Sequence, residues 1–364
     1  MKRMIIIIMM MIIAVMIFAS CGKKEEKKSD ESGCEIAVIS ETSKLREGSV
    51  SKEAWHSAEL FAKRNDMTAC IYRPEESSDE GYMAAIKKAV DDGAAMVILS
   101  GSSFDVIAYQ MQTSYPDVKF LLVDGVSHDG NGKYGTGANT VDVIFSEEEA
   151  GYLAGYAAVE DGYTKLGFIG GGDAPAVKRY GYGFVQGAAA AAEKSEIKVE
   201  MKYIYAGSSD NTEESRELAA GWYKNGTEVI FVCSGDITES VVAAAEKNQG
   251  MVIGADVDKS SLSDTVITTA EKCINVAVDD ILENYMNEKF VGGTAFNYAA
   301  KNDGVALELE NSRFSSFSED DYKKVFKKLK NGDIELKKDT SVKAVSELTG
   351  EWITIKETSY EKSR

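Results

Sequence analysis

Small and acidic residues directly follow the apolar runs that the sequence predicts to be strands. Asp124 comes after a run ending at Val123, Gly235 lies shortly after Val232, and Asp256 lies shortly after Ile253. Because ligands of open parallel sheets bind beyond the carboxyl ends of the strands, we expect these residues to line one cleft. Carboxylates accept hydrogen bonds from hydroxyl groups, with a net contribution of about 1–3 kcal/mol each. The pattern therefore predicts a binding site for a polyhydroxylated small molecule.

A helix N-cap is the alternative role for each aspartate that follows a predicted strand. Asp236 precedes Ile237 at the start of an apolar helical pattern, so capping is the favoured role there. Asp256 is a better ligand candidate, because Asp258 and Ser260 are available as caps instead.

Trp55 is the aromatic candidate for the cleft. The first helix of such a fold starts at the cleft, and an indole ring can stack on a planar base or on a sugar face. Trp55 also shares helical spacing with Ala58 and Phe61, which is equally typical of a core residue.

Motifs of catalysis and of cofactor binding are missing from the sequence. It contains neither the phosphate-binding pattern GxxxxGK[ST] nor the nucleophile elbow GxSxG, and the glycines at 170–172 lack the full dinucleotide spacing. Four cysteines after Cys21 are scattered without metal-ligand spacing, and only two histidines could join them. Cys34 and Cys70 are compatible with a disulfide or with buried thiols. We therefore predict no catalytic residue, no cofactor and no metal site.

The elements that must position these residues alternate between apolar runs and amphipathic stretches, which is typical of βαβ units. The chain has 364 residues, and one core typically takes ~150. We therefore predict an α/β fold of two doubly wound parallel-sheet lobes joined by a hinge. The predicted first lobe is 35–145 with 270–290, the second lobe is 146–269 with 291–350, and residues 351–364 form a tail.

The amino-terminal segment has the parts of a secretory signal over residues 1–20. Two basic residues precede an apolar run over 4–18, and small residues precede Cys21. This junction resembles a lipobox, which predicts lipidation at Cys21; an ordinary signal peptide is the alternative. Residues 21–34 are mainly charged and predict a tether. We expect a lipid-anchored protein on the extracytoplasmic face of the cell membrane.

The charge balance argues against nucleic acid as a partner. The sequence has 59 acidic and 41 basic residues, with a net charge of −18. Nucleic-acid binding depends on neutralising phosphates with basic side chains, so such an acidic chain is poorly suited to it.

Several segments together resemble the basic membrane protein family of solute-binding lipoproteins. They include the run through Val123-Asp124-Gly125, the stretch 145–158, Gly167–Gly171 with 175–184, and Ile253–Asp258. The resemblance covers nearly all of the chain after the tether, to about Gly332. It implies a type I periplasmic binding protein fold, a purine nucleoside as ligand and an ABC importer permease as partner.

The resemblance also assigns roles to single residues. It implies that Asp256 and Lys272 hold the ribose hydroxyls, that Asp124 lies near the base, and that Gly235 lines the sugar. Two segments depart from the family. Ser51–Trp55 stands where relatives have an Asp-Lys-Ser-Phe-Asn type stretch, which leaves Trp55 as the candidate stacking ring, and 206–210 lacks the aromatic residue that relatives often carry.

Three functions follow as hypotheses. The first is capture of a purine nucleoside or related ribosyl compound for import, and a variant of it has a different small polar solute as ligand. The second is a surface interaction or sensor lipoprotein that uses the same fold. An enzyme of nucleoside metabolism is the least supported.

Overall fold

Two β-sheets organise the chain, and the computed structural model describes residues 33–358. The predicted signal segment, the lipidation at Cys21 and nearly all of the predicted tether lie outside these residues. The first sheet is parallel throughout, in the order β11-β5-β4-β3-β1-β2. Its strands are β1 Ile36–Ile39, β2 Ala69–Tyr72, β3 Met96–Ser100, β4 Lys119–Val123, β5 Thr140–Phe145 and β11 Thr294–Tyr298.

The second sheet has the order β12-β10-β9-β8-β6-β7-β13. All its neighbours pair in parallel except the short edge strand β12, which runs antiparallel to β10. Its strands are β6 Lys165–Gly170, β7 Val199–Tyr205, β8 Val229–Cys233, β9 Met251–Asp256, β10 Val266–Lys272, β12 Val305–Leu307 and β13 Ile353–Glu357.

Helices cover the sheets, as parallel strands that are apolar on both sides require. They are α1 Val50–Arg64, α2 Asp79–Asp91, α3 Asp105–Ser114, α4 Glu147–Glu160, α5 Pro175–Ser195, α6 Glu213–Lys224, α7 Ile237–Asn248, α8 Ile274–Met286 and α9 Glu319–Asn331. Within residues 33–358, no helix is both long and apolar enough to cross a membrane.

Local sequence accounts for these elements. All four residues of β1 are buried. Some helix starts have capping hydroxyls, such as Ser49 Oγ, which accepts a hydrogen bond from the backbone N–H of Lys52. The largest buried cluster contains side chains of α1 and α8 beside the first sheet and of α4 and α5 beside the second. The structure therefore confirms the predicted α/β class with two parallel sheets.

Sheet membership differs from the sequence-based boundaries at two places. The sequence predicts residues 291–350 to belong to the second lobe, but Thr294–Tyr298 pairs with β5 in the first sheet. Most of this edge strand is exposed, so it lacks the apolar run that reveals the inner strands. The sequence predicts a tail over residues 351–364, but Ile353–Glu357 pairs with β7 and extends the second sheet.

Candidate functional site

A cavity of about 660 Å³ lies between the loops that follow the strands of the two sheets. The first lobe contributes the loops after β1, β3 and β4, and the second lobe contributes those after β8 and β9 together with the start of α5. Four of the predicted site residues line this cavity: Asp124, Gly235, Asp256 and Lys272. Asp124, Gly235 and Asp256 therefore lie at one cavity, as the strand-end argument predicts, and their role in ligand binding stays a prediction.

Lys272 lies at the centre of the polar lining, at the end of β10. Its ammonium nitrogen is 2.8 Å from both carboxylate oxygens of Asp124, 3.0 Å from Asp256 Oδ1 and 3.4 Å from Glu147 Oε1. The Lys272 and Glu147 side chains are 3% and 1% exposed, whereas those of Asp124 and Asp256 are 20% and 25% exposed. The two aspartates are therefore the members of this group that remain accessible from the cavity.

The backbone directs the two aspartates into the cavity. Asp124 follows β4 with φ 62°, and Asp256 ends β9 with φ 74°. The left-handed region is uncommon for residues other than glycine, and it concentrates at functional sites. Aspartate is among the residues that tolerate it best, which is consistent with acidic residues at both strand ends.

The shared ammonium group affects the two aspartates differently. Burial raises the pKa of Asp124, and the attraction of Lys272 compensates only in part. Burial also opposes ionisation of Asp256, but the ammonium groups of Lys272 and Lys259 hold the pKa of that carboxyl below its ordinary value. Burial disfavours the charged form of Lys272, yet the carboxylates around it hold its pKa well above the ordinary value. Lys272 therefore stays protonated in the folded protein.

A second set of contacts supports the aspartates and Glu147. The Tyr180 hydroxyl lies 3.3 Å from Asp256 Oδ1 and 3.3 Å from the Ala270 carbonyl oxygen, so it can donate to either acceptor. Arg179 Nε donates to Glu147 Oε2 at 2.6 Å. These contacts give the buried carboxylates further donors besides Lys272.

Gly235 lines the cavity in the turn after β8. Its φ is 58°, and a Cβ atom there would lie 2.9 Å from both the Cβ and the carbonyl oxygen of Ser209. The turn also brings the hydroxyl groups of Ser209 and Ser234 within 2.5 Å of each other. A side chain at position 235 would displace the Ser209 loop, so the close approach explains the glycine.

Trp55 does not line the cavity. It is half-buried and packs against the main core from α1, whereas Val50, at the start of the same helix, does line the cavity. Of the cavity-lining residues in the described part of the chain, only Tyr180 is aromatic, and it is 2% exposed. The structure therefore places no exposed aromatic ring in position to stack on a base.

Sequence reasoning missed several lining residues. Glu41 follows β1 and could have been found by the strand-end argument used for Asp124. Asp105 and Glu147 open helices, where an acidic residue is expected for capping and dipole reasons alone, so nothing distinguished them. Arg46 and Lys259 lie in loops without a recognisable motif.

The lining is acidic overall. Nine acidic side chains face four basic ones: Glu41, Glu47, Asp105, Asp124, Glu147, Asp236, Glu239, Asp256 and Asp258 against Arg46, Arg179, Lys259 and Lys272. Such a cavity favours ligands that are neutral or positively charged and that donate hydrogen bonds. Within residues 33–358, no group of three or more His, Cys, Asp and Glu side chains is arranged to hold a metal ion, and Cys34 and Cys70 are free thiols.

Two contacts join the lobes at the cavity. Arg46, in the loop after β1, lies 2.5 Å from both carboxylate oxygens of Asp236, which directly precedes α7. Lys259, in the loop after β9, donates to the carbonyl oxygen of Gly48. The loop after β1 is therefore held against the second lobe.

Comparison with known proteins identifies the family. Residues 35–340 match the family described as Bmp, ABC transporter substrate-binding protein PnrA-like. The chain is 29% identical over 298 residues to the ABC transporter nucleoside-binding protein BmpA of Lactococcus lactis, covering 76% of this chain and 82% of that protein. It is 30% identical over 249 residues to basic membrane protein A of Borreliella burgdorferi, covering 67% and 70% of the two chains.

Solved structures show the same fold at lower identity. An ABC transporter solute-binding protein from Aeropyrum pernix aligns with a TM-score of 0.70 at 18% identity, covering 86% of this chain and 97% of that one. A second, from Conexibacter woesei, aligns with a TM-score of 0.69 at 20% identity, covering 84% and 99%. These likenesses confirm the predicted type I periplasmic binding protein-like fold.

The matched family consists of substrate-binding proteins and not of enzymes, which confirms the predicted lack of a catalytic role. Its members bind small-molecule ligands for an ABC transporter outside the cytoplasm. The two-lobed fold, the cavity between the lobes and the match over residues 35–340 lead to one conclusion. The chain belongs to the Bmp family of ABC transporter substrate-binding proteins.

Proposed function

We propose that this protein captures a purine nucleoside or a related ribosyl compound and delivers it to an ABC transporter permease. The Lys272 group with Asp124 and Asp256 is the observation that carries the proposal. Two accessible carboxylates beside one ammonium group can accept hydrogen bonds from ribose hydroxyls, while the buried Lys272 holds both carboxylates in place. The name of the Lactococcus relative, a nucleoside-binding protein, supports the same ligand class.

Closure of the two lobes is part of the proposal. The Arg46 contact with Asp236 and the Lys259 contact with Gly48 join the lobes at the cavity. A ligand that touches both lobes binds the closed form better than the open one, so it shifts the population toward closure. The lining from both lobes supports this mechanism.

Anchoring through lipidated Cys21 is also proposed, on the strength of the signal-like segment that precedes it. A lipid anchor would keep the protein near the permease. Replacing Cys21 by Ala should move the protein from the membrane fraction to the soluble fraction. Retention of the Cys21→Ala protein in the membrane fraction would refute the anchor.

The ligand is tested by thermal shift and calorimetry against purine nucleosides, pyrimidine nucleosides, free ribose and other small polar solutes. Saturating ligand stabilises the folded state by RT ln(1 + [L]/Kd), so 100 Kd adds about 2.7 kcal/mol. Asp256→Asn should weaken nucleoside binding at least about tenfold, because one charge-assisted acceptor is lost. Asparagine tolerates the positive φ, which keeps the backbone unchanged.

Asp66→Asn is the matched control, since Asp66 also has a positive φ, of 55°, but is exposed and lies outside the cavity. It should leave the Kd unchanged. Stabilisation by a different solute with no response to any nucleoside would overturn the ligand class and leave the family assignment intact.

A further inference from the structure

The walls of the cavity limit how an aglycone, the part of the ligand other than its sugar, can be recognised. Tyr180 is the one aromatic lining residue in the described part of the chain and is almost fully buried, while Val50 and Val177 are aliphatic lining residues. Stacking of a base on an aromatic ring contributes about 1–3 kcal/mol to binding. Without such a ring, discrimination between aglycones must come from hydrogen bonds to their edges.

Asp105 is one lining acceptor that is suited to such a bond. It begins α3, and its side chain is 16% exposed in a position that lines the cavity. Its Oδ1 accepts a hydrogen bond from the backbone N–H of Val126 at 3.0 Å, which fixes the carboxylate. Among the residues that the structure describes, Oδ2 accepts no hydrogen bond: the nearest cationic candidate, His128 Nε2, is 3.6 Å away.

His128 faces Asp105 in a defined orientation. Its Nδ1 accepts a hydrogen bond from the backbone N–H of Gly130 at 3.0 Å, and the neutral ring therefore carries its proton on Nε2, toward Asp105. The imidazole also packs edge-on against Tyr134, with ring centroids 5.6 Å apart. His128 Nε2 is therefore a donor close to Asp105 Oδ2, but at 3.6 Å it is too far away for a hydrogen bond.

The other charged groups that face Asp105 are acidic. Asp124 follows β4 and Asp142 lies on β5, and no lysine or arginine lies within 4.0 Å of Asp105 among residues 33–358. Burial, together with the charges of Asp142 and Asp124, raises the pKa of Asp105 to about 7. The carboxylate form is therefore costly at this position and would be favoured by a ligand that donates a hydrogen bond to it.

We propose that Asp105 is a specificity-determining residue that accepts a hydrogen bond from an amino group on the aglycone, so that the protein prefers amino-substituted ribosyl compounds. This inference rests on the proposed function and adds which part of the ligand determines specificity, namely the aglycone. The Lys272 group holds the sugar, and the Asp105 Oδ2 atom selects the aglycone. A ligand without a donor at that position leaves Oδ2 of the Asp105 carboxylate without a hydrogen bond, which costs affinity.

The test compares matched ligands that differ by one amino group: adenosine against purine riboside, and guanosine against inosine. Calorimetry on the full mature chain should show a preference of about tenfold or more for the amino-bearing member of at least one pair. Asp105→Asn should reduce that ratio toward one. The Asn side-chain oxygen can still accept from the Val126 N–H, so the variant keeps the local fold. Asp117→Asn, at an exposed position of the same lobe, should keep the wild-type ratio.

The pH dependence of the unmodified protein gives a second readout that needs no variant. The ligand binds the carboxylate form, so its affinity should rise as pH increases from 6 to 8 and fall as Asp105 takes up a proton near pH 7. The affinity for purine riboside should depend less on pH. In Asp105→Asn, the rise in affinity for the amino-bearing ligand between pH 6 and 8 should disappear.

Equal affinity within both ligand pairs would overturn the inference while leaving nucleoside capture standing. An unchanged affinity ratio within the ligand pairs in Asp105→Asn, or an affinity for the amino-bearing ligand that does not change with pH, would also overturn the inference. If no nucleoside binds at all, the proposed function fails and the assignment of Asp105 fails with it.

Discussion

At the scale of single residues, one buried ammonium group holds the site together. Lys272 contacts Asp124, Asp256 and Glu147 with a side chain that is 3% exposed. An ammonium group is costly to bury, and here three carboxylates compensate for the lost water. Lys272 is consequently a structural requirement for keeping two acidic strand ends close together, and in the proposed function it positions the two carboxylates that contact the ligand.

Lys272→Met should destabilise the protein by about 3–5 kcal/mol at pH 7, because it leaves buried carboxylates without their partner. The free energy of unfolding in urea measures the effect. The unpartnered carboxyls gain raised pKa values in the folded state, so they bind protons more readily there than when unfolded. The deficit should therefore shrink as pH falls from 7 to 5.

Lys356→Met is the control for that prediction. Lys356 pairs with Glu200 at 3.1 Å, and both side chains are 61% exposed. Its loss should change the free energy of unfolding by no more than about 0.5 kcal/mol. Similar effects of the two substitutions would mean that burial of the Lys272 group contributes little.

At the scale of elements, the close packing of α4 against α5 positions two site residues. A Cβ atom on Gly151 would lie 2.2 Å from the Tyr180 carbonyl oxygen, and one on Gly155 would lie 2.0 Å from the Phe184 carbonyl oxygen. On the facing helix, a Cβ on Gly187 would lie 2.0 Å from the Tyr152 carbonyl oxygen. These glycines let the backbones approach closely, so Glu147 at the start of α4 and Tyr180 on α5 reach the same cavity.

Gly155→Ala should destabilise the protein by about 1–3 kcal/mol, because the added methyl group forces the helices apart. This is the opposite of the usual effect, since alanine is favoured over glycine in a helix by about 1 kcal/mol. Urea denaturation gives the free energy, and the Kd for ligand should rise as well, because α5 moves with Tyr180.

Gly221→Ala is the matched substitution on α6, where no atom lies within 4 Å of the added Cβ. It should stabilise the protein by about 0.5–1 kcal/mol. If Gly155→Ala were as stabilising as Gly221→Ala, close packing of α4 and α5 would not be needed.

At the scale of the whole molecule, the loop after β1 connects the lobes. Arg46 makes an ion pair with Asp236, and the two side chains are 55% and 43% exposed. In the same segment, the carbonyl oxygen of Gly48 accepts a hydrogen bond from Lys259. Glu41, Ser49 and Val50 of the same segment line the cavity. The segment therefore lines the cavity and connects the two lobes.

Arg46→Ala should raise the dissociation rate of the ligand by about two- to fivefold, because an exposed ion pair contributes about 0.2–1 kcal/mol. Stopped-flow measurement at low and high salt should show the difference shrinking as salt screens the pair. A charge swap, Arg46→Asp with Asp236→Arg, should restore part of the wild-type rate.

Arg216→Ala is the control for the Arg46 substitution, because Arg216 pairs with Glu213 within α6 and does not join the lobes. The ligand should dissociate from the Arg216→Ala protein at the same rate as from the wild type. Equal rates for Arg46→Ala and wild type would mean that the pair does not hold the lobes together.

Sequence alone determined the fold class and predicted which strand ends line the cavity, because buried parallel strands leave a continuous apolar run and their carboxyl ends meet at one edge. Asp124, Gly235 and Asp256 were found in this way, and Lys272 was found through the family resemblance. The edge strands Thr294–Tyr298 and Ile353–Glu357 were missed, since exposure removes the apolar signal.

Only the tertiary structure decided which side chains of a helix face the cavity. Trp55 and Val50 lie on the same helix, yet Val50 lines the cavity and Trp55 packs on the core. A helix rotates by about 100° per residue, and sequence spacing does not show which direction the ligand lies in. The roles of Asp105 and Glu147 were also hidden, because an acidic residue at a helix start has a sufficient local explanation until its distant neighbours are known.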